Sequence, residues 1–312
     1  MYSDLNHDPD RSSFIRTYRA ELILFAITFS WGLSFPLIKI SLNFISPFFF
    51  LFLRFFFTVL LFYVIFRKKI ILRDFENWKK GIILGIFLFT GFAFQTIGLK
   101  YTTASKSAFI TGTAIILIPF AQYLILKIKP KPENITGGLI VLAGLYILSE
   151  AYITVPNFGD ILTAVCAVSF AVHIVLLNKF TTEFNFYYMA FGQFLTMAVL
   201  SLFFLIILEI EIYGEFKLEI NSTLMLTLIY SSLIATLASI VLVTKYQHET
   251  TPLRAGIIYS MESVFAVFFA FIILGEILNL SQIKGALIMI TGLLISEFYG
   301  YIKYKFSNAG KI

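Results

Sequence analysis

From Leu22 onward the chain is a succession of long apolar runs separated by short polar breaks. About ten runs stand out, at roughly 22–40, 46–66, 80–99, 103–126, 135–153, 159–178, 186–208, 222–243, 253–275 and 284–302. A helix needs about 20 mostly apolar residues to cross the hydrocarbon core of a bilayer, and these runs approach or exceed that length. They are too long and too uniformly apolar for barrel strands, in which lumen-facing polar residues alternate with lipid-facing ones. The pattern predicts an all-α integral membrane protein with about ten transmembrane helices. The connections are mostly too short to form domains of their own.

Hydrophobic residues make up 59% of the chain and charged ones 13%, with a mean hydropathy of +0.88. An ordinary soluble domain is far less apolar. The formal charge of +6 would suit nucleic acid, but the basic residues fall in short clusters between apolar runs, so no nucleic-acid partner is expected. Their placement orients the chain instead. Arg11, Arg16 and Arg19, the cluster from Arg67 to Lys80, then Lys127, Lys129, Lys131, Lys179, Lys245, Arg254, Lys303, Lys305 and Lys311 fall on one side. The other side holds little more than Lys39, Lys100, Lys106, Lys217 and Lys284. The positive-inside rule then puts both termini in the cytoplasm, in a plasma membrane or bacterial inner membrane. The polar opening residues lack the short apolar core and cleavage site of a secretory signal, so the first span is expected to stay as a signal anchor. Cys166 is the one cysteine, which removes an intrachain disulfide framework or thiolate metal site.

The chain also resembles itself. At an offset of 148, "TTASKS" (102–107) lies over "TTPLRA" (250–255), matching Lys106 with Arg254. "GGLIVLAG" (137–144) lies over "GALIMITG" (285–292), matching Gly137 with Gly285 and Gly144 with Gly292. The starts agree more weakly at an offset of 140, where "FPLIKI" (35–40) meets "VLLNKF" (175–180) and Lys39 meets Lys179. With about five spans per half, an odd number, the second copy enters from the opposite face. Such an inverted repeat is the architecture from which many secondary carriers build alternating access around a midplane site. The expected division is a cytoplasmic segment at 1–20, repeats at 21–153 and 154–302, and a cytoplasmic tail at 303–312.

Taken together, "WGLSFPLIK" (31–39), "SPFFFLFLRF" (46–55), "YTTASKSAFITG" (101–112) and "MESVFAVFFAFIILGE" (261–276), followed by Gly285 and Gly292, resemble the drug/metabolite transporter superfamily, specifically its EamA-type ten-helix members. The order of these motifs is more diagnostic than any one of them. The resemblance implies paired five-helix repeats, a central cavity, cytoplasmic termini and, commonly in bacteria, export of amino acids or other small metabolites. The chain departs from the pattern at Ser263, where a proline often follows the glutamate, while Pro119 is kept in the first half. Local helix geometry near Glu262 is therefore open.

Several side chains sit where hydrocarbon does not favour them. Gly32 allows a close helix approach, and Pro36 removes a backbone donor and is expected to loosen the turn around Gly32 and Leu33. The loosened turn serves either a cavity, with Trp31 as aromatic wall, or a packing kink. Lys39 is expected to snorkel to the interface. Glu262 lies near the middle of the ninth run, where a charge costs about 2.5 kcal/mol or much more; it is the proton-coupling candidate, with a structural clasp as the plainer role. His173 is a candidate proton partner because imidazole titrates near physiological pH; a satisfied neutral histidine between helices is the alternative. Arg54 reads as structural, and its counterpart appears at Gln193, so its role is not symmetric. Gln95, Thr111, Gln122, Tyr230, Tyr259 and Ser260 are neutral groups that serve either a cavity or interhelical bonding. Glu150 and Glu276 lie near the outer helix ends, where solvation is expected, with a salt bridge to Lys39 or Lys106 as the other option.

Catalytic motifs are missing from the sequence. No H-E-x-x-H occurs, and His7, His173 and His248 are too dispersed for a helical zinc pair. "GLSF" (32–35) lacks the second glycine of a G-x-S-G site, no phosphate-binding loop is present, and Asp160 stands alone at a helix boundary. The reading is a secondary transporter, not an enzyme and without cofactor or metal, that exports a small polar or amphipathic metabolite by alternating access. Trp31, Gln95, His173, Tyr259 and Glu262 are the expected substrate-binding residues, with Glu262 and His173 for proton coupling. The alternative is a membrane-embedded enzyme acting on a lipid or lipid-linked substrate. Self-association as a homo-oligomer stays open.

Overall fold

The computed structural model describes residues 11–70, 75–149, 155–181, 185–214, 216–277 and 279–309. Glu150 and His7 lie outside them, as do the outer ends of the two expected terminal segments. The described chain is helical, apart from one isolated antiparallel bridge between Ile45 and Leu218. In order, the helices are α1 (Arg11–Ser41), α2 (Pro47–Phe66), α3 (Phe75–Tyr101), α4 (Ala104–Gly112), α5 (Ala114–Leu126), α6 (Pro132–Leu148) and α7 (Phe158–Thr181). They continue as α8 (Phe186–Phe204), α9 (Ser222–Ser232), α10 (Ser239–Tyr246), α11 (Pro252–Ser260), α12 (Glu262–Leu274) and α13 (Leu280–Ala309). A π-helical turn (Leu205–Ile212) extends α8, and another (Leu233–Ala238) joins α9 to α10.

Among the described residues eight helical segments are long and apolar enough to cross a membrane: Thr17–Ser41, Pro47–Lys69, Glu76–Tyr101, Ala104–Leu126, Phe158–Thr181, Phe186–Ile212, Ser222–Glu249 and Pro252–Leu274. Two shorter apolar helices, Pro132–Leu148 and Leu280–Ser296, accompany them. Large apolar side chains such as Leu22, Phe120, Tyr123, Leu124 and Leu226 stand exposed on the outside. Hydrocarbon, not water, is the solvent for which such a surface is stable. The molecule is a multi-pass membrane protein.

Local chemistry sets the helix boundaries. Pro47, Pro132 and Pro252 open α2, α6 and α11, where the missing N–H has no intrahelical partner to lose. Thr103 and Thr251 cap α4 and α11 by accepting the backbone N–H groups of Lys106 and Arg254. The α5 and α12 helices both end on a left-handed residue, Lys127 at φ 59° and Gly275 at φ 67°. Both α4–α5 and α11–α12 are single runs interrupted once, at Thr113 and at Met261. Each of these three pairs is separated by 148 positions, the spacing of the sequence repeat.

The expected loosening at Pro36 does not interrupt α1, which stays helical to Ser41. The reason lies in its neighbour. A Cβ at Gly32 would stand 2.5 Å from Phe265 Cβ and 2.9 Å from the Glu262 carbonyl, so α12 clamps the turn that Pro36 weakens. A second close crossing joins α6 and α13. A Cβ at Gly144 would come within 2.8 Å of the Gly285 carbonyl, and one at Gly137 within 2.9 Å of the Gly292 carbonyl. Rising numbers on α6 meet falling numbers on α13, so these two helices are antiparallel.

Candidate functional site

Two clusters of polar side chains mark opposite ends of the bundle. At one end Lys106 Nζ pairs with Asp160 Oδ2 at 2.6 Å, and Thr102 Oγ1 donates to Asp160 Oδ1 at 2.7 Å. The Asn157 N–H donates to the same carboxylate at 2.8 Å. At the other end Arg254 grips Glu21 as a fork, Nη1 to Oε1 at 3.1 Å and Nη2 to Oε2 at 3.2 Å, and Thr250 Oγ1 donates to Glu21 Oε1 at 2.8 Å. Thr102 and Thr250, like Lys106 and Arg254, are 148 residues apart; Glu21 and Asp160 are 139 apart. The four acidic and basic side chains are between 6% and 20% exposed, so solvent weakens these pairs far less than it would a surface bridge. That the clusters lie at opposite ends follows from α1. Lys39, near its end, reaches the carbonyls of Leu99 and Thr102, and lies 18 residues beyond Glu21, about 27 Å at the α-helical rise of 1.5 Å per residue.

Between these ends lies a cavity of about 90 Å³, room for several waters. Its wall is drawn from α1, α2, α3, α7, α10 and the two broken helices, whose interruptions it touches at Thr111, Gly112 and Ala114 and at Ser260 and Glu262. Breaks of this kind are tolerated at membrane depth where the backbone is buried in protein or lines a cavity. Ser263, two residues past the second break, donates to the Ala108 carbonyl of α4 at 2.8 Å. A proline there could not make that bond, so the departure from the common pattern ties one broken helix to the other.

All five expected site residues line this cavity. Trp31 Nε1 donates to the Ala235 carbonyl at 3.0 Å, inside the π-helical turn, and its ring lies 5.4 Å from that of Tyr259. Tyr259 Oη donates to Gln247 Oε1 at 3.0 Å, and Gln247 Nε2 donates to the Ile174 carbonyl at 2.7 Å. Gln95 Nε2 donates to Thr111 Oγ1 at 3.0 Å. His173 Nε2 lies 2.8 Å from Gln193 Oε1. Because Gln193 Nε2 donates to the Met189 carbonyl, its oxygen must face the imidazole, and Nε2 of His173 carries the proton. Glu262 opens α12 and is buried; among the described residues no hydrogen bond or ion pair joins it to His173. The proposed proton pair is thus two separate groups on one cavity wall.

Other expectations need correction. Lys39 has protein partners at its end of the helix: its Nζ donates to the carbonyls of Leu99 at 2.7 Å, Lys100 at 3.3 Å and Thr102 at 2.7 Å, capping the C-terminus of α3. Glu276 is held by Ser105 Oγ at 2.5 Å and is not left to solvent. Gln122 and Tyr230 are absent from the cavity wall; Tyr230 Oη bonds the Ser30 carbonyl at 2.9 Å, an interhelical tie. Arg54, read as structural, faces the cavity. Its Nε donates to Thr236 Oγ1 at 2.6 Å, its guanidinium lies 4.8 Å above the Phe92 ring, and its Nη1 has no hydrogen-bond partner. A lone charge within "FFFLFLRFFF" was signal enough, since an ionisable residue at membrane depth is a functional candidate by default. Ser34 and Gln247 also line the wall and carried no such signal.

Comparison with known proteins agrees with this architecture. An uncharacterized transporter of Archaeoglobus fulgidus is 34% identical over 281 residues, covering 90% of this chain and 86% of its own. The uncharacterized transporter YoaV of Bacillus subtilis is 23% identical over 283 residues, covering 88% and 95%. A protein of known crystal structure shares the fold at a TM-score of 0.73 and 17% identity, over 90% of this chain and 98% of that one. The model of the EamA-like transporter family matches twice, over residues 18–150 and 157–298. With both stretches matched, the chain belongs to the EamA-like transporter family.

Proposed function

We propose that this protein is a secondary carrier that moves a small polar or amphipathic metabolite, such as an amino acid, out of the cell by alternating access. In this reading ten helices form two inverted five-helix repeats, 21–153 and 154–302, in a plasma or bacterial inner membrane with both termini cytoplasmic. One observation carries it: the Lys106–Asp160–Thr102 and Arg254–Glu21–Thr250 clusters are repeat mates at opposite ends of one cavity. If each cluster closes the mouth nearest to it, breaking one while keeping the other exposes the cavity to alternate faces. The antiparallel α6–α13 crossing supports the same symmetry, because Gly137 on Gly292 is the repeat image of Gly285 on Gly144. Trp31, Gln95, His173 and Tyr259 contact the substrate, and Glu262 is the coupling group.

Purified protein in sealed liposomes tests this directly. Preloaded metabolite should drive counterflow of labelled metabolite, with a rate that saturates. Linear, non-saturating flux would identify a channel instead, and recovery of a chemically altered product would identify an enzyme.

A further inference from the structure

We infer that Arg54 is the substrate anchor, and that the substrate class is a small molecule bearing a single carboxylate. The inference rests on the carrier reading and names what its cavity selects. Arg54 is 1% exposed, and no ion pair joins it among the described residues. Its environment holds the guanidinium still without neutralising it. Nε is fixed on Thr236 Oγ1 at 2.6 Å, the plane rests near the faces of Phe92 and Phe55 at 4.8 and 5.6 Å, and Nη1 is left without an acceptor. Buried N–H groups of an ion are normally satisfied, and a carboxylate entering the cavity would satisfy this one with a charge-assisted bond.

The cavity composition narrows the anion. Among the described residues Arg54 is the one arginine or lysine on the wall, and Glu262 stands on the same wall. With Glu262 protonated, or facing an ammonium group of the ligand, the one cation offsets one negative charge, so a monoanion fits and a phosphate dianion does not. A planar carboxylate also matches the planar guanidinium. The rest of the wall is largely apolar or aromatic, including Trp31, Phe35, Phe92 and Phe170, which suits a carboxylate on an apolar body. Glu262 adds a question the same experiment answers: it can face an ammonium group of a zwitterion or stand apart from a simple acid.

The test uses the full chain in liposomes and a library of matched probes in which each carboxylate has its carboxamide. Leucine, leucinamide, 4-methylpentanoate and isopentylamine form one set, and phosphate monoesters of similar size are included. Carboxylates should raise the melting temperature and compete for flux, while their carboxamides do so at least tenfold more weakly. Arg54→Gln, which installs the residue found at the repeat-related position, should erase that preference, and Arg54→Lys should retain part of it. Should Arg54→Gln fail to fold, the wild-type preference and its partial retention in Arg54→Lys decide. Leucine outperforming 4-methylpentanoate would assign Glu262 to the ammonium within the same carboxylate class. Equal binding of carboxamides, stronger binding of phosphate monoesters, no carboxylate responding, or an unchanged preference in Arg54→Gln would each overturn the assignment. Saturable counterflow of a carboxamide as efficient as that of its carboxylate would remove the anchor and leave the carrier; carboxylate binding without counterflow would do the reverse.

Discussion

The two ends of the bundle use the same parts differently. At the Asp160 end a lysine, a compact point charge, meets a carboxylate that is also held by Thr102 and Asn157. At the Glu21 end an arginine holds both carboxylate oxygens in a fork. The fork is the more directional contact, and it depends less on additional donors. Between the ends the likeness fails: Arg54 faces the cavity in one half, while its counterpart Gln193 is buried against His173 in the other. In the carrier reading proposed above, symmetry is kept where two mouths would work alike and lost where a single ligand would be read. If the clasps gate as proposed, their balance, not the cavity, would set which face is open at rest.

That comparison can be broken at either end. Removing one buried partner of an ion pair costs about 3 kcal/mol, a hundredfold shift in population. A cysteine at Ser34 in a Cys166→Ala background, labelled in sealed vesicles with an impermeant maleimide, reads which face is open. Glu21→Gln should favour labelling from the Glu21 face and Asp160→Asn from the opposite face, each by about a hundredfold. Equal labelling in both variants would show that these pairs do not gate.

A smaller effect tests the crossing on which both halves bear. A Cβ at Gly285 would collide with the Leu148 backbone nitrogen, so Gly285→Val forces α6 and α13 apart. Destabilisation of about 2 kcal/mol is expected, read as a lower melting temperature with the carboxylate preference unchanged. Exchanging the clasp chemistry is gentler still. Arg254→Lys turns the fork into a point charge and should move the labelling ratio by about 1 kcal/mol, roughly fivefold, towards the Glu21 face. Lys106→Arg should move it the same way by strengthening the opposite clasp. The smallest effect is a gain. Lys127→Gly relieves the left-handed strain that Gly275 already avoids and should stabilise the protein by about 0.5–1 kcal/mol in thermal unfolding.

The apolar runs revealed the helices because span length and hydrocarbon content can be read along a single dimension. The breaks at Thr113 and Met261 were not legible. Neither carries a helix breaker at the break itself, while Pro36 and Pro119, which do break helices elsewhere, lie inside uninterrupted α1 and α5. Aligning the repeat exposed Lys106 and Arg254 as mates, but not their acids. Glu21 lies more than 200 residues from Arg254, and the offset to Asp160 is 139, not the 140 that matches the following stretch. Trp31, Gln95, His173, Tyr259 and Glu262 were identified as polar or aromatic exceptions in apolar runs. That signal could not separate cavity-facing groups from interhelical ties, which is why Tyr230 and Gln122 were grouped with them and Arg54 was not.

The π-helical turn at Leu233–Ala238 joins two side chains of the cavity. Trp31 bonds to its Ala235 carbonyl and Arg54 to its Thr236 hydroxyl, on adjacent residues. Rewinding that turn into regular α geometry would rotate the two flanking helices against each other by about 100° for each residue dropped from the wide coil. Neither anchorage could survive unaltered. The indole and the guanidinium are therefore strung on one coil, and a motion that tightens it retunes both walls of the pocket in a single stroke.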